Sequence, residues 1–390
     1  MNVGISGGMT GGPRRLRLLH LHSSFSPGGK ELRAAKLMNA FGPEVDHVLA
    51  SGMPGELGAA SAIDPAISVT YPDDFPALSG QPWPKRLYRL ARAMRTFDLV
   101  LTYNWGAMDG VAAHRLFARM LGLPPLVHHE DGFNQDEIVR LNPARNRFRR
   151  LALPGASRLI VPSQRLEAIA SEAWRVPPAK LRRIANGIPL ADYGKAARPD
   201  ALPGLTKQVG ELWLGTLAGL RPIKNLPRLV RGFASMPEPW RLVIVGEGPE
   251  RAAIMAEAAR LGLADRVHLP GFAPDPAQVV GLFDLFALSS DSEQFPISVV
   301  EAMAAGLAVV SPRVGDVAAM VAKQNRPWLT LPADEQAIGA VLAAAARDPA
   351  LRAAIGAANR ARALAEYGEE AMIAAYRKAY GDALGRADFP

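Results

Sequence analysis

The feature that most constrains the fold is an apolar run over residues 282–288, interrupted only by Asp284. It is followed by the loop Ser289-Ser290-Asp291-Ser292-Glu293-Gln294-Phe295 and then by Pro296-Ile297-Ser298-Val299-Val300-Glu301-Ala302-Met303-Ala304-Ala305-Gly306. A continuous apolar run of this length reads as a strand buried on both faces. Pro296 suits the first helical position, where its missing N–H removes no hydrogen bond, and Gly306 suits the left-handed residue that ends a helix. The apolar residues 307–310 supply the next buried strand, so the stretch forms one strand-helix-strand unit. Such a unit requires a parallel sheet covered by helices, and ligands of parallel sheets gather at the strand-to-helix edge.

The same alternation recurs along the chain in two series. Arg15-Leu16-Arg17-Leu18-Leu19-His20-Leu21-His22 reads as a first strand, followed by a loop over 23–29 and a helix over 30–41. Strands are expected at 47–50, 99–103, 126–129 and 158–162, mostly separated by helical patterns, which means a parallel sheet with helices on both faces. After Asn186-Gly187-Ile188-Pro189, residues 191–210 are polar, contain Pro and Gly, lack periodicity and read as a linker. A second series then runs through strands at 211–217, 241–245 and 267–269 with helices at 226–233 and 250–261. At 390 residues the chain exceeds the size at which one core keeps growing, so two domains are expected.

Within the first unit, Glu293 falls in the loop and Glu301 inside the helix, about 7 Å further along the axis at about 1.5 Å per residue. The N–H donors of Phe295, Ile297 and Ser298 face the same cleft, a setting for an anionic or hydroxyl-rich ligand. One polyol and one ribose would satisfy both carboxylates. Elsewhere, Gly28-Gly29-Lys30-Glu31 opens a helix after the first strand, so its N–H groups can wrap a diphosphate with no Cβ in the way. Leu217-Ala218-Gly219-Leu220-Arg221-Pro222-Ile223-Lys224 ends a strand in a turn that exposes two cations, suited to neutralising a leaving diphosphate.

The order strand, small-residue loop, Glu293, Phe295-Pro296, Glu301-Ala302-Met303 and Gly306 resembles the Glu-x7-Glu signature of glycosyltransferase family 4, retaining enzymes of the GT-B fold. The family usually carries Gly after the first Glu, where this chain has Gln294, and Arg five positions before the Lys, where this chain has Gly219 with Arg221 three before Lys224. The resemblance covers nearly the whole chain and implies an α/β protein of two doubly wound, Rossmann-like domains facing across a cleft. Residues 1–190 would form the acceptor-side domain with a loose tail over 1–14. Residues 211–365 would form the nucleotide-sugar domain, and 366–390 a last helix crossing back to the first domain.

By that resemblance the catalytic set is His129, Arg221, Lys224 and Glu293, with His128 packed behind His129. The donor-binding set is Gly28, Gly29, Arg221, Lys224, Gln294, Phe295, Pro296, Ile297 and Glu301. Glu293 is assigned to donor-sugar hydroxyls and Glu301 to ribose, while Glu130 and Asp131 read either as acceptor contacts or as exposed acids. The implied reaction moves a sugar from a nucleoside-diphosphate sugar, a co-substrate, to a saccharide or lipid-linked acceptor, with no cofactor. Asp291-Ser292-Glu293 mimics an acidic metal motif, but two cations and helix N-termini suffice for a diphosphate, so no metal is expected.

Hydrophobic residues make up 49% of the chain and charged ones 21%, as in ordinary globular proteins, and no apolar span is long enough to cross a membrane. The absence of cysteine excludes disulfides and thiolate zinc sites and fits a reducing cytoplasm. A net charge of +8 favours anionic partners. The stretch 83–95 forms a basic amphipathic helix with Leu87, Leu90, Ala91 and Met94 on one side and Lys85, Arg89 and Arg92 on another; Arg145, Arg147, Arg149 and Arg150 add a second basic cluster. Such helices either cover their own core or sit on an anionic bilayer, the latter placing the protein on the inner face of the cytoplasmic membrane. Two other readings fit the same chain: an epimerase or hydrolase of the same fold, and a basic membrane- or nucleic-acid-binding protein without catalysis. Basic runs without interleaved aromatics disfavour nucleic acid.

Overall fold

The computed structural model describes residues 14–390 except 54, 134–136, 138, 139, 196, 274 and 333. The expected tail over 1–14 therefore falls, apart from Arg14, outside the described residues. Strands β1 (Leu16–His22), β2 (Val45–Ser51), β3 (Val69–Thr70), β4 (Leu99–Tyr103), β5 (Leu126–His129), β6 (Arg158–Val161) and β7 (Leu181–Arg183) form one sheet in the order β3-β2-β1-β4-β5-β6-β7. Strands β8 (Leu212–Leu217), β9 (Trp240–Val245), β10 (Val267–Gly271), β11 (Leu285–Ala287), β12 (Val309–Pro312) and β13 (Leu329–Thr330) form a second, in the order β10-β9-β8-β11-β12-β13. The pairings are parallel in both sheets. Each order steps outward from a central strand and then jumps to its other side, between β1 and β4 and between β8 and β11. Loops part at such a jump and leave a crevice at the carboxyl ends of the strands.

Alternate residues of each strand feed opposite helical layers. Leu19 and Leu21 of β1 join the core beneath the helices Pro84–Met94 and Met108–Leu121, whereas Leu18 joins the core beneath Gly29–Phe41 and Glu369–Leu384. Leu87, Leu90, Ala91 and Met94 are buried, so the apolar side of the basic helix covers the sheet.

Three local expectations change. Strand β11 is shorter than its apolar run, because Asp284 at its entry accepts hydrogen bonds from the Trp213 N–H (2.7 Å) and Lys207 Nζ (2.7 Å). The helix Ile297–Ala304 starts one residue later than expected: Pro296, at φ −68° and ψ 109°, is the extended residue before it. Gly306 has φ 78°, the left-handed conformation that ends this helix. Third, the segment 191–210 is packed on the second lobe, with Tyr193 and Leu202 buried in its core as apolar anchors that its overall polarity hides.

The chain crosses between lobes just before that segment and again after Tyr367. There Ile188 N–H donates to the Tyr367 carbonyl (3.1 Å) and Glu369 N–H to the Ile188 carbonyl (3.1 Å). A Cβ on Gly187 would lie 2.5 Å from the Gly368 oxygen, so the two passes approach this closely only with glycine. The helix Glu369–Leu384 then lies on the first lobe, burying Met372, Tyr376 and Tyr380 with Phe25, Phe41 and Tyr103.

Candidate functional site

The loops after β1, β8 and β11 all open at the two crevices, so three cavities line up between the lobes. One of about 540 Å³ lies between Asp131-Gly132-Phe133 and Arg221, Lys224, Glu293 and Gln294. A second of about 650 Å³ shares Asp131, Arg221, Lys224 and Glu293 and extends to Gly28, Gly29, Phe295, Pro296 and Ile297. A third of about 260 Å³ shares Gly29 and Ile297 and ends at Glu301. The chain thus places Gly28, Gly29, Arg221, Lys224, Gln294, Phe295, Pro296, Ile297 and both glutamates along one cleft, with Glu293 and Glu301 in different compartments of it.

Lys224 Nζ donates to Glu293 Oε1 (2.5 Å), and Ser290 Oγ donates to the same oxygen (2.7 Å). The loop holding Glu293 is backed by Gly315, at φ 53°, where a Cβ would lie 2.5 Å from the Glu293 carbonyl oxygen. Asp291 turns the other way, accepting from Arg228 Nη2 (2.6 Å) and Asn225 Nδ2 (3.1 Å). The acids of the Asp291-Ser292-Glu293 sequence therefore do not converge, and no group of three or more metal-ligating side chains occurs among the described residues. Arg221 lines both larger cavities and, among the described residues, its guanidinium has no ion-pair partner. A free cation beside a paired one is a ready receptor for phosphate oxygens.

Gln294 faces the first cavity with its amide oxygen buried and, among the described residues, without a donor, next to Gly132 of the other lobe. Phe295 contributes backbone alone, because its ring packs edge-on against Tyr367 (5.7 Å) in the second-lobe core. Glu301 Oε1 accepts from the Tyr193 hydroxyl (3.0 Å), and burial pushes its carboxyl up to about 7.

His129 is a correction. It is 1% exposed, and its ring lies beneath the sheet edge, with Nδ1 against the Thr102 carbonyl (3.1 Å), Nε2 against the Tyr380 hydroxyl (2.8 Å) and Tyr103 stacked at 4.5 Å. Burial pulls it down to about 3, so it is neutral, and it lines none of the three cavities of the cleft. The cause is β5, a central strand whose alternate side chains enter one helical layer or the other; His128 points the opposite way, bonded to Thr102 Oγ1 (2.8 Å). Glu130 is also fully buried, against Arg149 (3.3 Å), and is neither an exposed acid nor an acceptor contact.

The cleft also holds residues that sequence reasoning passes over. Arg33 grips Asp131 through both guanidinium nitrogens (2.5 and 2.8 Å), donates to Asn186 Oδ1 (3.0 Å) and lies over the Tyr376 ring (5.6 Å). It sits one helical turn after Gly29, a spacing that points to the same face. Tyr193, the partner of Glu301, carries no sequence signal, because its segment lacks periodicity.

Residues 202–362 match the family model "Glycosyl transferases group 1" and residues 32–192 match "Glycosyltransferase Family 4". Curated relatives include D-inositol 3-phosphate glycosyltransferase of Segniliparus rotundus, 30% identical over 58% of this chain and 55% of the relative. Another is GDP-mannose-dependent alpha-mannosyltransferase of Mycobacterium tuberculosis, 29% identical over 67% of this chain and 68% of the relative. The chain spans about half the length of the curated relatives it matches, 45% of N-acetyl-alpha-D-glucosaminyl L-malate synthase of Bacillus anthracis among them. Among solved structures, Anabaena HepE in complex with UDP has a TM-score of 0.78 at 22% identity, covering 94% of this chain and all of that one. Sucrose-phosphate synthase of Thermosynechococcus elongatus has a TM-score of 0.73 at 20% identity, covering 95% and 99%. With both lobes matched, the chain belongs to the family 4, group 1 glycosyltransferases of the GT-B fold.

Proposed function

We propose that this protein transfers a hexosyl unit, with retention of configuration, from a nucleoside-diphosphate sugar to a saccharide or lipid-linked acceptor in cell-envelope glycan or glycolipid synthesis. The observation that carries this reading is the sharing of one inter-lobe cleft by Arg221, Lys224 and Glu293, with Glu301 at its far end. Relatives named for inositol phosphate and mannosyl transfer, and a structural neighbour holding UDP, support it.

In this reading Arg221 and Lys224 hold the diphosphate, Glu293 the sugar hydroxyls and Glu301 the ribose. An acceptor hydroxyl attacks the anomeric carbon from the side on which the diphosphate departs. The bond to the phosphate oxygen breaks, and the acceptor proton passes to that oxygen. The protein contributes position and charge, with cations and first-turn N–H groups neutralising the leaving group without a metal ion. The acceptor enters from the first lobe, whose basic helical face suits an anionic membrane surface on the cytoplasmic side.

A thermal-shift screen against UDP, GDP and their sugars tests the donor, because a ligand of the folded form raises its melting temperature. Replacing Lys224→Ala is expected to lower turnover about a hundredfold with the fold intact, the scale of removing one charge-assisted hydrogen bond to the departing diphosphate. Transfer by that variant at the normal rate would remove the clamp assignment. Sugar recovered free in solution instead of on an acceptor would convert the reading to a hydrolase.

A further inference from the structure

Lys30 stands where two effects oppose a cation. It is the second residue of the helix Gly29–Phe41, at the end where the macrodipole is positive, and its side chain is only 15% exposed. Burial pulls its ammonium down to about 8. Its neighbour Glu31 compensates: this carboxylate, 6% exposed, pairs with Lys30 and folds back over the start of the helix. The absence of a side chain on Gly28 makes room, since a Cβ there would lie 2.7 Å from Glu31 Oε2. A carboxylate of the chain thus occupies the point where a helix N-terminus, two glycines and a lysine converge, the place an external anion would take.

Lys30 and Glu31 line the same 650 Å³ cavity as Arg221, Lys224 and Glu293, on its opposite wall. The two walls repeat one device, a lysine held by an internal glutamate. The Arg33–Asp131 pair between them differs: its bidentate grip and its bond to Asn186 fix it as scaffold.

Resting on the donor-site reading above, we infer that Lys30 is the first lobe's phosphate-binding residue, exchanging the Glu31 carboxylate for a phosphate oxygen of a substrate as the lobes close. Lys30 keeps an anionic partner throughout, and Glu31 turns to the open cleft, so the exchange leaves no charge buried alone. It gives the second lobe's phosphate clamp a cation from across the cleft and ties substrate binding to closure.

The test is calorimetric titration of the whole protein with inorganic pyrophosphate and with UDP at pH 7, for wild type, Lys30→Ala, Lys30→Arg and Glu31→Gln, beside KM for donor and acceptor. Lys30→Ala is expected to weaken binding tenfold or more and Lys30→Arg to stay near wild type, while Glu31→Gln binds pyrophosphate more tightly. A loss in pyrophosphate and UDP affinity assigns the phosphate to the donor. A tenfold rise in acceptor KM with pyrophosphate binding unchanged assigns it to an acceptor phosphate. Wild-type affinity and both KM values retained by Lys30→Ala overturn the inference alone. Failure of the wild type to bind UDP or GDP at all removes the donor-site reading together with it.

Discussion

At the scale of single residues, Glu301 differs from Glu293, Asp131 and Glu31 in having a phenol, not a cation, as its hydrogen-bond partner among the described residues. A carboxyl held near 7 is half protonated at neutral pH, and only its ionised form accepts two ribose hydroxyl protons. Nucleotide affinity is therefore expected to rise between pH 6 and 8, and Glu301→Gln to bind more weakly with a flat profile; an unchanged slope in that variant would free Glu301 of the role. Stability carries the opposite sign. The folded value lies above the unfolded one of 4.5, so between the two the folded state holds the extra proton, and stability falls as pH rises through this window by at most about 1.4 kcal/mol per unit. Glu301→Gln removes that slope, as denaturant unfolding at pH 5 and 7 would show. The sequence reveals Glu301 through its spacing from Glu293, but not its perturbation, which comes from burial among residues distant in sequence, Tyr193, 108 residues away, being one wall of its pocket. His129 escapes sequence reasoning on similar grounds: a polar residue at a strand end is visible in sequence, whereas which layer it enters depends on the flanking strands and on Tyr380 from the last helix.

At the scale of elements, legibility follows length and burial. Strands β4 and β5 and the helix Leu226–Phe233 fall where their patterns place them, because each has a full apolar signal between clear breaks. The edge strands β3, β7 and β13 have two or three residues and too little pattern to announce them. Surface chemistry is legible only in part. The basic helix Pro84–Met94 shows in the sequence, but only packing sets it beside Met108–Leu121, where Tyr88 meets Phe117 edge-on (5.5 Å), and Met108–Leu121 in turn beside Pro143–Ala152. These three helices carry ten lysines and arginines against the single acid Asp109, which is paired with Arg86. Trp83, Tyr88, Leu116, Met120 and Leu151 are exposed on or beside them. Apolar side chains among cations suit the interface of an anionic bilayer. Cosedimentation with phosphatidylglycerol vesicles is expected to fall several-fold between 50 and 300 mM salt and to be lost in Arg89→Glu/Arg92→Glu/Arg119→Glu, while phosphatidylcholine vesicles stay unbound. Equal binding to both lipids would exclude this face as an electrostatic docking surface.

At the scale of the whole molecule, Asp316 ties the site to the opposite lobe. The first-lobe helix Gln164–Glu172 is capped by its own Ser163, which accepts from Leu166 N–H, and its two earlier donors are left to the other lobe. Asp316 supplies both acceptors, to Gln164 N–H (2.5 Å) and Arg165 N–H (3.1 Å), although it lies beside β12 in the second lobe. Its own N–H donates to the Gln294 carbonyl (3.0 Å), and Gly315 before it supports Glu293, so one short loop touches the site acid and the opposite lobe together. A carboxylate at a helix N-terminus stabilises by about 0.5–2 kcal/mol, which biases an open–closed equilibrium by roughly two- to thirtyfold. Asp316→Ala is therefore expected to raise the radius of gyration in small-angle scattering, to increase donor KM by up to that factor and to leave the melting transition of each lobe nearly unchanged, since the bond joins lobes and stabilises neither alone. Unaltered scattering with lower thermal stability would instead make Asp316 a local cap. The coupling is invisible in sequence, because the residues that meet are about 150 positions apart and neither side carries a pattern of its own.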